Sequence, residues 1–157
     1  MGAWTLAATA VLAGCGGAGS AETQVVHGRG FTFEAPADWG LVRTPRAIGA
    51  QGNAVELVQV TRLPLARAYS AKLFERVVPE LDGAARAVAA EVGATVASRT
   101  VDVLGEPVRQ YDLTFEGKFE QLTFVLRGKS NYQLLCRREA DGDNAPCETL
   151  VESFGLV

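Results

Sequence analysis

The chain has 157 residues, a hydrophobic fraction of 48% and a formal net charge of −3 at pH 7, which suits one domain with a real core and is too short for two. A sequence pI near 5.2 argues against a nucleic-acid-binding protein, because such a protein presents a basic face to its ligand.

The N-terminal segment is typical of a secretory signal. Its apolar run from Ala3 to Leu12 is too short to cross a bilayer, which takes about 20 residues, but suits a signal-peptide core. The run leads into "LAGC", ending at Cys15, which resembles a bacterial lipobox. That resemblance implies cleavage after Gly14 and attachment of a diacylglycerol to Cys15, with palmitate among the expected acyl groups. The alternative is a chance cysteine in an apolar leader, and the absence of Lys and Arg before the run departs from the pattern.

We therefore predict a lipoprotein signal peptide over residues 1–14, a flexible tether over 15–24 and a single globular domain over 25–157. The tether is small and polar without periodicity. Two acyl chains give stable anchoring, so we expect the domain at the extracytoplasmic face of the cell membrane.

The first part of the domain predicts two strands. Apolar and polar side chains alternate from Phe31 to Glu34, as in a half-buried strand. A turn at Pro36–Asp38 and Trp39 follow, and we expect Trp39 in the core or over the end of the sheet. Residues Val42–Asn53 contain glycine breakers and predict a loop, and Ala54–Leu63 predicts the second strand.

The central region predicts two helices. Apolar residues recur at helical spacing in Ala66–Val78, and Pro79 predicts a break, because proline cannot continue a helix undisturbed but can begin one. The second helix ends at Gly93, a C-terminal cap. We expect its inward stripe to be Leu81, Ala84, Ala85, Val88 and Val92.

From Thr95 the apolar period changes to two, which predicts four antiparallel strands. Turns are expected at Gly105–Glu106 and Gly117–Lys118, and the second of these pairs Glu116 with Phe119. That register pairs Leu113 with Leu122 and Tyr111 with Phe124 on one face, and Thr114 with Gln121 and Asp112 with Thr123 on the other.

A loop over Arg127–Asn131 is expected to close the last hairpin. The favoured register pairs Leu126 with Tyr132, Phe124 with Leu134 and Leu122 with Cys136, since the competing register places Gln133 against Leu126. Cys136 then points towards the helix-covered side.

Cys136 and Cys147 predict a disulfide, because an exported chain enters an oxidising space and Cys15 is assigned to the lipid. Closing so short a loop stabilises the fold by about 3 kcal/mol on the chain-entropy model. A metal site at Glu139, Asp141, Asp143 and Asn144 is the alternative to an acidic turn. The turn is favoured, because the spacing lacks the glycine and distal glutamate of a calcium loop.

A last helix over "APCETLVESFGLV", with Leu150, Val151 and Phe154 inward, completes a ββ–αα–ββββ–α order. This order predicts an α+β fold, in which helices pack on an antiparallel sheet of about six strands. Together with "FTFEAPADW", "YDLTFEGKFEQLTFVLRGKSNYQLLC" and "CETLVESF", it resembles actinobacterial lipoproteins of the PsbP-like group, which includes PsbP and DcrB. The resemblance covers Phe31–Phe154 and implies an α/β/α sandwich and an accessory or binding role, with no shared active site.

Signatures of known enzyme classes are missing from the sequence: it has no GxSxG, HExxH, Walker or strand-linked GxGxxG motif. His27, the only histidine, and the carboxylate pair Asp112 and Glu116 are read as solvated groups. We expect no catalytic residues, cofactor or metal, and no nucleic-acid partner.

Three functions remain. The favoured one is a non-catalytic accessory lipoprotein that binds an envelope protein; a candidate surface is the polar sheet face of Gln110, Asp112, Thr114, Gln121 and Thr123. The second is a small-molecule or lipid carrier with a crevice between helices and sheet. The third is an unrecognised hydrolase, which would place His27 or a carboxylate with a perturbed pKa in a concave site.

Overall fold

The computed structural model describes residues 22–157, which form two antiparallel sheets and two helices. The predicted signal peptide and Cys15 lie outside the described residues. The elements in chain order are β1 (Thr23–Gly28), β2 (Phe31–Pro36), β3 (Gly40–Arg43), β4 (Ala47–Gln51), β5 (Leu57–Tyr69), α1 (Phe74–Val92), β6 (Thr95–Val103), β7 (Glu106–Phe115), β8 (Lys118–Glu139), α2 (Ala145–Ser153) and β9 (Gly155–Leu156).

The large sheet has six strands in the order β3-β4-β5-β8-β7-β6, which confirms the predicted α+β class with an antiparallel sheet of about six strands. A second sheet, β1-β2-β9, was not expected from the sequence. Its first strand begins at Thr23, inside the segment predicted to be tether. No helix among residues 22–157 is long and apolar enough to span a membrane.

The predicted loop Val42–Asn53 is wrong, because β3 and β4 form a hairpin there. Gly49, read as a breaker, lies within β4. A Cβ at this position would lie 2.4 Å from the backbone oxygen of Val58 in the neighbouring strand, so glycine permits the close approach of β4 and β5.

Strand β8 reverses direction within its own length. Twenty-two extended residues would span about 70 Å, yet the amide of Ala140 donates to the carbonyl of Gly117 at 2.8 Å. Glu120 and Arg137 form an ion pair across the two halves, and Gly128 near the centre has φ 51°. A hairpin therefore exists where one was predicted, with β7 paired to its first half and β5 to its second.

The predicted register of this hairpin is wrong by one residue. The Glu120–Arg137 pair places Thr123 opposite Leu134, and both are almost fully buried. Phe124, the predicted partner of Leu134, packs in a different core cluster. A one-residue slip moves every side chain to the other face. The predicted register was chosen to keep Gln133 away from Leu126, and Thr123 had been assigned to the polar face.

The two-residue turns were also misplaced. Phe115 pairs with Lys118, so Glu116 and Gly117 are the turn residues, with φ 49° and 73°. Likewise, Leu104 and Gly105 form the turn before β7. Hairpin turns of this kind need positive φ at both central residues and favour glycine second, whereas glycine was expected first. The pairing of β7 with β8 is therefore shifted by two residues from the predicted register. Because side chains alternate with a period of two, each side chain still lies on the predicted face of the sheet.

Helix α1 is one continuous helix that contains Pro79, so the predicted pair of helices is wrong. Proline has no N–H to bond the carbonyl four residues earlier, and this loss falls in the second turn of the helix. The predicted inward stripe is rotated: Ala85 and Ala89 are buried, whereas Val88 is 52% exposed and Val92 43% exposed. Gly93 caps the helix in the left-handed conformation, as predicted.

The core consists of two clusters on opposite faces of the large sheet. The larger one joins β2, the centre of the large sheet and α2, and Trp39 packs against it. The smaller one joins α1 to the other face through Ala85, Ala89, Tyr111 and Leu113. The layers therefore follow the α/β/α arrangement.

The predicted disulfide is formed. Cys136 in β8 and Cys147 in α2 are bonded, with Cα atoms 5.3 Å apart, and both are buried. Leu150 and Phe154 are also buried, as expected, and Val151 packs at the edge of the same cluster. The bond fastens α2 to the sheet.

Candidate functional site: a basic cleft between the two sheets

A cleft of about 730 Å³ opens where the turns of the two sheets meet. Four segments that are distant in sequence form it: the β1–β2 turn, the β3–β4 turn, the middle of β5 and the reversal of β8. The cleft is within the size range of small-molecule sites. Its lining residues are His27, Gly28, Arg29, Phe31, Arg43, Thr44, Pro45, Arg46, Ala47, Ile48, Arg62, Pro64, Lys129 and Ser130.

The cleft concentrates positive charge on an acidic protein. Five of the 15 Lys and Arg residues of the chain line it, and no Asp or Glu does. Among residues 22–157, none of these five cations forms a salt bridge. Like charges gathered without counter-charges attract an anion. The five are Arg29, Arg43, Arg46, Arg62 and Lys129.

Arg62 is the cation that its neighbours hold in place. Its Nε donates to Ser130 Oγ at 3.1 Å and its Nη1 to the carbonyl of Arg29 at 3.0 Å. The guanidinium carbon lies 5.7 Å from the centre of the Tyr132 ring. Within the described chain, Nη2 has no hydrogen-bond partner, so both of its N–H groups are available to a ligand.

The β3–β4 turn brings two more arginines beside Arg62. The backbone N–H of Arg62 donates to the carbonyl of Arg46 at 3.1 Å. Within the turn, Thr44 Oγ1 accepts from the amide of Ala47 at 3.0 Å. Arg43 ends β3 and Arg46 follows Pro45, and both are exposed.

His27 lies in β1 and lines this cleft, together with the hydroxyl of Ser130. A hydrolytic site needs a nucleophile bonded to its base and a group that orients the base. In the described part of the chain the His27 side chain makes no hydrogen bond, and Ser130 Oγ accepts from Arg62. The cleft therefore brings a histidine and a serine into one concavity without assembling a triad.

The polar sheet face that was expected to bind a partner is largely buried. Gln110, Gln121 and Thr123 are at most 6% exposed, and Gln110 Nε2 donates to Thr123 Oγ1 at 2.7 Å. They lie on the side of the sheet that carries the larger core cluster and α2. Asp112 is only partly exposed, and Thr114 alone is exposed. Polar side chains that satisfy one another can be buried, which the sequence pattern did not reveal.

The other carboxylates considered from the sequence do not converge. Asp112 pairs with Arg99 and accepts from Gln121 at 3.1 Å, whereas Glu116 lies in the exposed turn after β7. In the loop before α2, Asp143 Oδ1 accepts from the amide of Ala145 and Asn144 Oδ1 from Arg138. These contacts are those of a turn, as favoured from the sequence.

One carboxylate outside the cleft has a perturbed pKa. Asp82 of α1 accepts from Nε and Nη2 of Arg109, each at 3.0 Å, and from the Tyr111 hydroxyl at 2.6 Å. The hydrogen bonds from Arg109 and then Tyr111 lower the pKa of Asp82. Burial, and then the bond to Asp82, raises the pKa of Tyr111. This cluster lies between α1 and β7 and is explained by helix docking.

The crevice expected for a carrier lies between α1 and the sheet, where Tyr69, Phe74 and Leu81 approach Val108 and Phe124. The space there is about 10 Å³. That volume is about enough for one water molecule, so this crevice has no room for a lipid chain. The basic cleft lies elsewhere, between the two sheets.

Comparison with known structures gives a fold relationship. The solution structure of cyanobacterial PsbP (CyanoP) from Synechocystis sp. PCC 6803 is similar over 93% of this chain and 99% of its own, with a TM-score of 0.55 and 14% identity. The fold is PsbP-like. The expectation from the sequence resemblance is therefore confirmed at the level of the PsbP-like fold, and the identity is too low to transfer a function.

A crystal structure from Bacteroides thetaiotaomicron VPI-5482 is also similar, with a TM-score of 0.49 and 11% identity. The match covers 82% of this chain and 45% of that one, so the chain spans less than half of that protein's length. No protein-family model matches the sequence, and no curated protein matches it.

The cleft was missed from the sequence because its cations are far apart along the chain. Arg29, Arg62 and Lys129 lie in unrelated segments, and of the five cations only Arg43 and Arg46, in "VRTPR", lie close together in sequence. The available signal was that Arg29 lies between two glycines and Arg46 follows a proline, which are contexts typical of turns. Which turns meet is decided by the pairing of the strands.

Proposed function

We propose that the chain is a non-catalytic accessory lipoprotein of the cell envelope, which binds an anionic partner through the basic cleft. The observation that carries the proposal is the group of five cations without a carboxylate, on a chain of net charge −3. The charge is local, so it points to a site rather than to general attraction. The accessory role is also consistent with the PsbP-like fold and with the "LAGC" lipobox.

A non-catalytic role is supported by the contents of the cleft. Its titratable side chains are arginines, one lysine and an exposed histidine, and its two hydroxyl side chains are Thr44 and Ser130. Ser130 Oγ accepts from Arg62, and within the described residues no histidine or carboxylate is bonded to the Ser130 hydroxyl to act as its base. Binding needs only fixed charge, which this cleft has.

The anchor is tested with the full chain expressed in an actinobacterial host. Mass spectrometry should find the mature N-terminus at an acylated Cys15, and membrane fractionation should recover the protein with the membrane. Cys15→Ser should leave the protein unprocessed and without the acyl mass. An unmodified Cys15 within an uncleaved leader would contradict the lipoprotein assignment.

The cleft is tested by crosslinking in intact cells. A photo-crosslinking side chain at Thr44 should capture an envelope component, and capture should be lost in the Arg43→Glu/Arg46→Glu variant. The matched control reverses two exposed charges at the start of the α1 region, Lys72→Glu/Arg76→Glu, and should keep the crosslink. Equal capture by both variants would refute the assignment of binding to the cleft.

A further inference from the structure

We propose that the group recognised by the cleft is a phosphate carried on an organic body, with Arg62 as the fixed contact. This deepens the proposed function, because it names the chemistry that the same site recognises. The argument rests on the kind of cation, on the support of Arg62 and on the apolar part of the wall.

The cations favour phosphate over a single carboxylate. Four of the five are arginines, whose planar forks bind phosphate and carboxylate groups alike through two parallel hydrogen bonds, so the charge of the ligand discriminates between them. A carboxylate carries one negative charge, whereas a phosphate monoester carries about 1.5–2 negative charges at neutral pH. Five unpaired cations are better balanced by the higher charge.

The support of Arg62 makes the site preorganised. Two anchors, on Ser130 Oγ and on the carbonyl of Arg29, fix the guanidinium plane before a ligand arrives. A side chain that is already ordered loses less conformational entropy on binding. The free Nη2 is the edge that can form the contact with a phosphate oxygen.

The rest of the cleft wall indicates that the ligand carries an organic group as well as the phosphate. A cleft of about 730 Å³ is much larger than a phosphate group. Pro45 and Pro64 are exposed along it, and Phe31 and Ile48 are the buried apolar residues that line it. Apolar surface next to a charged clamp favours a ligand that has both parts.

The test uses residues 22–157, which contain both sheets, both helices and both core clusters. Calorimetry should show that phenyl phosphate binds at least about tenfold more tightly than benzoate, since a phosphate has a higher charge and a third oxygen that can accept one more charge-assisted hydrogen bond from the cleft. Inorganic phosphate should bind more weakly than phenyl phosphate, because it lacks the organic body. In amide NMR spectra the shifts should fall on the β3–β4 turn and around Arg62.

Two variants separate the fixed contact from charge alone. Arg62→Gln should weaken the binding of phenyl phosphate about tenfold or more. Arg62→Lys should also weaken it, because an ammonium keeps the charge but cannot be held by Ser130 and the carbonyl of Arg29 while a further nitrogen contacts the ligand. Arg76→Gln, an equal charge change on α1, should bind as the wild type does. If Arg62→Gln lowers the melting temperature, Arg43→Gln/Arg46→Gln, at and beside the exposed β3–β4 turn, tests whether phenyl phosphate binds in the cleft without a change in β5.

Vesicles distinguish a phospholipid headgroup from a soluble ligand. The protein is sedimented with phosphatidylcholine vesicles that either contain or lack phosphatidic acid. A lipid headgroup is identified if the protein binds only the vesicles that contain phosphatidic acid and Arg62→Gln abolishes this binding. Binding of phenyl phosphate without vesicle binding identifies a soluble ligand. Absence of phosphate-dependent binding in both arms, equal affinity for benzoate, or no effect of the Arg62 and turn variants would overturn the inference.

The outcome is independent of the crosslinking test. If capture depends on the cleft but no phosphate binds, the proposed function stands and the phosphate assignment fails. If phosphate binds at Arg62 but capture does not depend on the cleft, the phosphate assignment stands and the assignment of envelope-partner binding to the cleft fails.

Discussion

Replacing Asp82 with asparagine tests how α1 is held on the sheet. The carboxylate accepts two hydrogen bonds from Arg109 and one from Tyr111. Asparagine keeps the shape but loses the charge, and its amide nitrogen cannot accept. One guanidinium N–H of Arg109 then faces this amide nitrogen, which is a donor, instead of a carboxylate oxygen.

The expected loss follows from the burial of the pair. The side chains of Asp82 and Arg109 are 20% and 16% exposed, so solvent screens the interaction only partly. A hydrogen bond to a charged group contributes about 1.5–3 kcal/mol when buried, and a fully exposed pair less than about 1 kcal/mol. We therefore expect Asp82→Asn to lower the free energy of unfolding by about 2 kcal/mol at pH 7.

The dependence on pH has a definite sign. The pKa of Asp82 is lowered in the folded protein by its bonds to Arg109 and Tyr111. The stabilisation is therefore complete above the unfolded value of about 3.9 and is lost as the pH falls through the folded value. The difference between wild type and variant should be constant from pH 5 to 7 and shrink below about pH 4, because the Asp82 carboxyl takes up a proton there in the unfolded chain before it does so in the folded protein.

The assay is urea unfolding followed by circular dichroism at several pH values. The control is Glu80→Gln, an exposed position on the same helix, which should change stability by less than about 0.5 kcal/mol. An effect of Asp82→Asn no larger than that of Glu80→Gln would refute the reasoning. The reasoning would also be refuted if the difference in unfolding free energy between wild type and Asp82→Asn did not decrease at acidic pH.

Three further predictions concern the packing. Cys136→Ser/Cys147→Ser should lose about 3 kcal/mol in urea unfolding, and a reductant should destabilise only the wild type. Gly49→Ala should destabilise the fold by about 2 kcal/mol or more, because the added Cβ would lie 2.4 Å from a backbone oxygen of β5. Gly83→Ala in α1, where the added Cβ meets open space, should instead stabilise the fold by about 0.5–1 kcal/mol. Equal effects of the two substitutions would contradict the steric explanation. Tyr111→Phe should cost about 1 kcal/mol at pH 7. Because burial raises the pKa of Tyr111, the wild type should also lose stability above about pH 10, the unfolded value, more steeply than this variant.

Local chemistry predicted much of the secondary structure. The alternation of Phe31 and Phe33 marked β2, and Gly93 marked the end of α1, because each signal lies within one element. The disulfide could also be predicted, since Cys136 and Cys147 were the cysteines left for a bridge. Burial could not be read from polarity, as Gln110 and Thr123 show by satisfying each other inside the core.

The stripe on α1 illustrates the same limit. Val88 was placed inward because it is apolar and Asp82 was not considered, yet Asp82 meets Arg109 of β7 and Val88 is 52% exposed. A charged side chain is acceptable at the inner face when a partner on another element neutralises it. The identity of that partner is tertiary information.

Periodicity, turn residues and cysteine number are properties of the chain alone, and they predicted the α+β class, the order of most elements and the covalent link between β8 and α2. The registers, the small sheet and the basic cleft depend on how the strands pair in three dimensions. Arg29, Arg46, Arg62 and Lys129 become neighbours only when strands from distant parts of the chain pair. Charge acts through space, whereas a sequence orders residues along the chain.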